Sequence, residues 1–208
     1  MKKTGRKLVA FLAIFIILLT TSSQSAIAKE WDLKFSDDIS KVWEVRFNKP
    51  LDESTLTANN VYVLDGKQTH ATTLKLMGDG SVLQVSPSVP YEVGKPYMLM
   101  ITGDVKSSDK KALKTSVELP FQIVNSEGII QAVYSTSNGI FTTITVMASS
   151  DVNRVTVGSV EMTYRGKNRH TTTLLDAKPG STVSISAYDE SNKRLETKKI
   201  TLESASQF

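Results

Sequence analysis

Val42-Trp43-Glu44-Val45-Arg46-Phe47-Asn48-Lys49-Pro50 is the stretch on which the fold turns. Trp43, Val45 and Phe47 alternate with Glu44, Arg46 and Asn48, so an extended chain places the large apolar groups on one face and the polar ones on the other. Asn48-Lys49-Pro50 then stops the strand, because proline presets φ and asparagine favours turns. The same period recurs downstream. Val61 and Val63 alternate with Tyr62 and Leu64, and Leu83 and Val85 alternate with Val82, Gln84 and Ser86. Between these runs stand Asp65-Gly66-Lys67, Gly78-Asp79-Gly80, Ser86-Pro87-Ser88 and Gly94-Lys95-Pro96, each a turn signal. Short strands at such intervals, with no long segment of period 3.6, predict an antiparallel β-sandwich or barrel. The one helical hint is Asp52 to Asn59, where Asp52 or Ser54 would cap a single turn.

A different pattern precedes the strands. Lys2, Lys3, Arg6 and Lys7 form a positive head, Leu8 to Leu19 is apolar, and Ala26-Ile27-Ala28 supplies small residues for cleavage between Ala28 and Lys29. This reads as a secretory signal peptide over residues 1–28. Its apolar run is shorter than the ~20 residues a membrane-spanning helix needs, so no stable membrane insertion is expected after cleavage. The 208-residue chain has 25 Lys plus Arg against 21 Asp plus Glu, a formal charge of +4. Removing the four bases of the leader leaves 25 − 4 = 21 against 21. The basic lean therefore belongs to export, and bulk charge gives no reason to expect a nucleic-acid partner. With no cysteine, disulfide scaffolds, thiolate metal sites and cysteine nucleophiles are excluded together.

Val117, Leu119, Phe121 and Ile123 read as a closing strand, and Ile130, Ala132 and Tyr134 open a new set after Asn125-Ser126-Glu127-Gly128. Further strands are expected at Phe141 to Met147, Val152 to Val157, Met162 to Tyr164, Thr171 to Leu175, Thr182 to Tyr188 and Lys198 to Leu202. The reading is all-β: a domain over 29–124, a linker over 125–128 and a second sandwich over 129–208. By residue count the first domain holds 12 bases and 13 acids, the remainder 9 and 8. No basic stripe is visible in the linear order. Gly66 to Leu74 is similar to Gly166 to Leu174, which shared β-composition explains as well as duplication.

The first domain resembles the bacterial SbsA-type Ig-like domains. The resemblance runs through Val42 to Asp52, Asn59-Asn60-Val61-Tyr62-Val63, Gly80-Ser81-Val82-Leu83-Gln84-Val85-Ser86-Pro87, Tyr91-Glu92-Val93-Gly94-Lys95-Pro96-Tyr97 and Gly103 to Lys114. In that last loop the family's usual Gly-Asn pair stands as Lys110-Lys111. Val155-Thr156-Val157-Gly158 and Gly180 to Asp189 resemble the last strands of a second bacterial Ig-like module. The resemblance implies two tandem Ig-like antiparallel sandwiches after a cleaved signal peptide. It also implies a role in surface display or binding rather than chemistry, while fold alone names no ligand.

Candidate chemistry is sparse. His70 and His170 are the only imidazoles, lie in different domains and are flanked by threonines, so both read as exposed strand residues with no triad partner nearby. Ser107-Ser108-Asp109-Lys110 has the Ser-x-x-Lys spacing of penicillin-binding enzymes, but falls in a turn-rich loop, and Lys3-Thr4-Gly5 lies in the leader. No catalytic or cofactor-binding residue is assigned. Calcium is the ion that interstrand loops of a secreted sandwich would suit, with Asp37-Asp38 and Asp52-Glu53 as the weak candidate ligands and Asp104, Asp109 and Asp189 further out. None has EF-hand spacing, and adjacent acids are first turn residues or caps. Trp43 is expected in the core, whereas Trp31 either packs at an edge or offers its ring to a glycan. The expected protein is a secreted, non-catalytic binding or spacer module of the cell surface, taking a cell-wall polymer or an exported protein as partner. The alternative is an accessory or inhibitor-like protein that docks on a cell-wall hydrolase.

Overall fold

The computed structural model describes residues 29–175 and 177–202. Residues 1–28, where the signal peptide is expected, and with them Ala28, lie outside the described residues, as do residues 203–208. In chain order the strands are β1 (Lys29–Glu30), β2 (Lys34–Ser36), β3 (Trp43–Arg46), β4 (Val61–Asp65), β5 (Gln68–His70), β6 (Thr72–Met77), β7 (Val82–Pro87), β8 (Pro96–Ile101) and β9 (Val117–Ile123). The second set is β10 (Ile130–Ser137), β11 (Phe141–Ala148), β12 (Arg154–Val157), β13 (Val160–Glu161), β14 (Thr163–Tyr164), β15 (Arg169–Leu175), β16 (Thr182–Tyr188) and β17 (Arg194–Thr201). The chain is all-β, in four sheets that pair into two sandwiches.

In the first sandwich, β1-β9-β8-β4-β5 form one sheet, with β2 also on β9, and β3-β7-β6 form the other. The alternation read from the sequence sets the inner face. Val45, Val61, Val63, Leu83, Val85, Tyr97, Leu99, Ile101 and Phe121 are buried in one cluster between the sheets. Trp43 closes it, its ring 4.7 Å from Phe121. β5 and β6 are one extended run that crosses from sheet to sheet at Ala71. Parallel pairing occurs at the amino-terminal edge, where β1 and β2 run alongside β9 in the registers Lys29↔Val117 and Phe35↔Gln122, and in the single bridge Val93↔Ile123.

In the second sandwich, β10-β11-β15-β14 face β13-β12-β16-β17, around Ile130, Ile144, Val146, Val155, Ile185 and Leu202. Here the crossing between sheets falls between β13 and β14, before the glycine turn, whereas in the first sandwich it follows the β4–β5 turn. The similar segments at Gly66 and Gly166 thus share a hairpin turn and not a chain path. The helical hint resolves to one 3-10 turn, Glu53–Thr55, capped by Asp52, whose Oδ1 accepts from the Ser54 backbone N–H.

The sandwiches meet at Gln122. Its neighbour Phe121 points into the core, so by strand parity Gln122 points out of the first sandwich toward β10. The side chain is 1% exposed, and its Nε2 donates to the Gly94 carbonyl within the first sandwich and to the Val133 carbonyl of β10 at 3.0 Å. One amide thus ties the two units together.

A candidate groove at the open side of the first sandwich

At one side of the first sandwich β3 ends one sheet and β1 ends the other, leaving an opening between them. The loop from Asp104 to Lys114 folds partly over it: Leu51 bridges to Ser107, Asp52 N–H donates to the Lys106 carbonyl, and Leu113 N–H donates to the Val105 carbonyl. What remains is a groove of about 450 Å³. Its floor is apolar, formed by Val45, Leu51, Val105, Leu113 and Val117, with Trp31 at the β1 side and 37% exposed. The rim is cationic. Arg46, Lys49, Lys106, Lys111 and Lys114 all line it, all are exposed, and among the described residues no carboxylate or imidazole lines it with them.

The loop is held by charges beside the groove. Asp109 accepts from Lys49 Nζ at 2.7 Å and from the Ser107 hydroxyl, with Lys111 Nζ at 3.7 Å. The Lys49 hydrogen bond, then that of Ser107, pull its carboxyl down to about 2. Asp52 accepts from Lys110 Nζ at 2.6 Å, and that contact, followed by Ser54, lowers its carboxyl below 3.8. Lys110 takes φ +62°, the left-handed conformation that glycine or asparagine adopts most readily. The Lys110-Lys111 departure therefore keeps a glycine-like backbone. Arg46, Lys106 and Lys114 make no ion pair among the described residues.

The candidate calcium ligands lie apart in role. Asp37 and Asp38 sit in the turn before β3, where Asp38 Oδ1 accepts from the Ser40 backbone N–H at 2.9 Å. Asp52 and Glu53 belong to the capped 3-10 turn. Among the described residues no three Asp, Glu, His or Cys are grouped so as to hold a metal ion.

The histidines correct the expectation of exposed strand residues. His170 is 2% exposed on β15, with the Tyr164 ring 5.2 Å away and Nε2 unpartnered, and burial lowers its pKa. His70 stacks on Tyr91 at 4.8 Å and its Nε2 meets the Val89 carbonyl at 2.8 Å. Desolvation by burial pushes the Tyr91 hydroxyl far above its ordinary value. Both imidazoles are packing residues of their own sandwich.

Residues 28–123 match the bacterial Ig-like domain family. The Ig-like match ends with β9 and includes every residue of the groove floor. No curated protein matches the sequence. Among solved structures, the N-terminal part of the bacterial S-layer protein SbsC is similar at 14% identity and TM-score 0.35, over 85% of this chain and 44% of that one. A pullulanase of Anoxybacillus sp. LM18-11 complexed with maltotetraose is similar at 14% identity and TM-score 0.27, over 79% and 23%. The fibronectin(III)-like modules of Clostridium thermocellum CbhA are similar at 14% identity and TM-score 0.25, over 88% and 93%. This chain spans less than half of the SbsC structure. Likeness at this level carries no argument about ligands.

Proposed function

We propose that the protein is exported, is cleaved between Ala28 and Lys29, and acts outside the cell as a non-catalytic binding module, with its first domain of the SbsA type and a second Ig-like module over 129–208. The observation that carries this reading is the groove, an apolar floor under a rim lined, among the described residues, by cations and by no carboxylate or imidazole. Such a lining attracts and holds a ligand, and lacks the paired proton donor and acceptor that hydrolysis of a glycosidic or peptide bond requires. Trp31 belongs to this site by position: cleavage before Lys29 would leave it two residues inside the new terminus, fixed by its N–H on the Glu118 carbonyl at 2.8 Å. Among the described residues no helix is long and apolar enough to cross a membrane.

Fractionation of a culture tests the reading. The protein is expected in the medium and wall fractions, with an amino terminus at Lys29. Labelled protein is expected to co-sediment with purified walls without releasing soluble wall fragments. Retention in the cytoplasm, or fragment release, would refute it.

A further inference from the structure

The charge balance of the first sandwich conceals a separation. Residues 29–124 hold 12 bases and 13 acids. Among the described residues five of those bases line the groove and no acid does, and Asp109 is the carboxylate paired with them, so outside that set the domain holds 12 − 5 = 7 bases against 13 − 1 = 12 acids. A near-neutral domain is therefore a dipole, positive at one opening and negative over the remaining surface. Asp109 engages two of the five, Lys49 and Lys111; among the described residues Lys106 and Lys114 make no ion pair, and Arg46 makes none although it lies close enough to Asp79 to add to the Ser81 hydrogen bonds that lower that carboxyl. Gathering like charges around an apolar floor raises a local potential that water screens less well than it does on a flat surface.

We propose, resting on the binding role above, that this groove takes a linear polyanion: a flexible chain of polyols joined by phosphodiesters. Three observations select that chemistry. The rim is four lysines to one arginine, and lysine meets phosphate oxygens as a mobile point charge with no fixed geometry, which suits a flexible chain. The floor offers carbon and no buried polar side chain, so no single anion is gripped. The rim cations come from the end of β3, the turn after it and the 104–114 loop, so they meet charges that repeat along a chain. The Trp31 ring at the β1 side covers the ligand's carbon backbone. Only this one exposed aromatic lines the groove, where a single-stranded nucleic acid would need a row for its bases.

The test is titration of the purified protein with a synthetic poly(glycerol phosphate) oligomer, followed by tryptophan fluorescence and calorimetry across a salt series. With three cations, Arg46, Lys106 and Lys114, engaged, the logarithm of the association constant is expected to fall with the logarithm of salt with a slope of about −2. Lys106→Glu and Lys114→Glu are each expected to weaken binding on the order of tenfold and to flatten that slope by about one. Lys199→Glu, on the second sandwich, is expected to change neither. Unchanged melting curves for the variants keep folding out of the comparison. Equal affinity for a neutral glycan, tighter binding of poly-glutamate or single-stranded DNA, or indifference to both groove reversals would overturn the proposal. Whole walls separate the two levels: capture by walls stripped of phosphate polymer, unaffected by the reversals, defeats the polyanion and leaves the wall-binding role standing, whereas no capture by any wall defeats both.

Discussion

Protonating His170 is expected to unfold the second sandwich selectively. The ring is 2% exposed, Tyr164 of β14 lies 5.2 Å away, Val146 is its neighbour on β11, and Nε2 has no hydrogen-bond partner to receive a second proton's charge. Arg165, Lys167 and Arg169, the charged residues of the hairpin, are cations and give the imidazolium no counter-charge. Burial holds the folded pKa below the ordinary 6.5. In the window between the two values the unfolded chain therefore carries more protons than the folded one. Stability from this group is complete above pH 6.5 and drains as the pH falls toward the folded pKa. One proton gives a limiting slope of about 1.4 kcal/mol per pH unit. The other displaced groups lie outside this range, since Asp52, Asp79, Asp109 and Asp189 move down from 3.8 and Tyr91 and Tyr97 move up from 10.0. Urea titrations between pH 7 and pH 5, followed by NMR resonances of each sandwich, measure the effect. The β10–β17 transition is expected to move to lower urea and the β1–β9 transition to hold. His170→Leu should flatten the dependence while keeping an apolar group of similar volume in place. An unchanged slope in that variant, or a loss confined to the first sandwich, would refute the reasoning.

Gln122→Ala removes both donated hydrogen bonds of the junction and is expected to cost about 2 kcal/mol, with a larger radius of gyration by X-ray scattering as β10 loosens from β9; an unaltered scattering curve would show that the tie lies elsewhere. Lys110→Asn places a residue that tolerates φ +62° at that position and is expected to raise the melting temperature of the first sandwich slightly despite loss of the contact to Asp52. On the edge strand β17, Lys199→Thr is expected to increase self-association by sedimentation. Lys198→Thr is expected to destabilise instead, because Lys198 Nζ donates to the Ile130 carbonyl. Calcium and chelator are expected to leave both transitions in place, since the Asp52 carboxylate is already engaged by Lys110 and Ser54.

What could be read in advance was what alternation encodes. Trp43-Val45, Val61-Val63 and Leu83-Val85 each put two apolar groups on one face, and those faces make the core. The Asp52 cap was equally legible, being a local hydrogen bond two residues long. His170 was not, because Arg169-His170-Thr171-Thr172-Thr173 has no apolar contrast to fix which face is inside. The missing phase was available four residues on: Leu174 packs against the core and Leu175 is 69% exposed, so period two carries His170 inward. The groove failed for a different reason. Its cations come from β3, the turn after it and the 104–114 loop, and Lys49 meets Asp109 across 60 residues of chain. Counting charge over the domain averages such a site away, because apart from Asp109 the acids that balance the rim cations line other parts of the surface. The neutrality that gave no reason to expect a nucleic-acid partner is a property of the sum, and a ligand meets only the part of the surface it touches. For a sandwich with one open side, charge is therefore better read by asking which loops fold over that side than by totalling the chain.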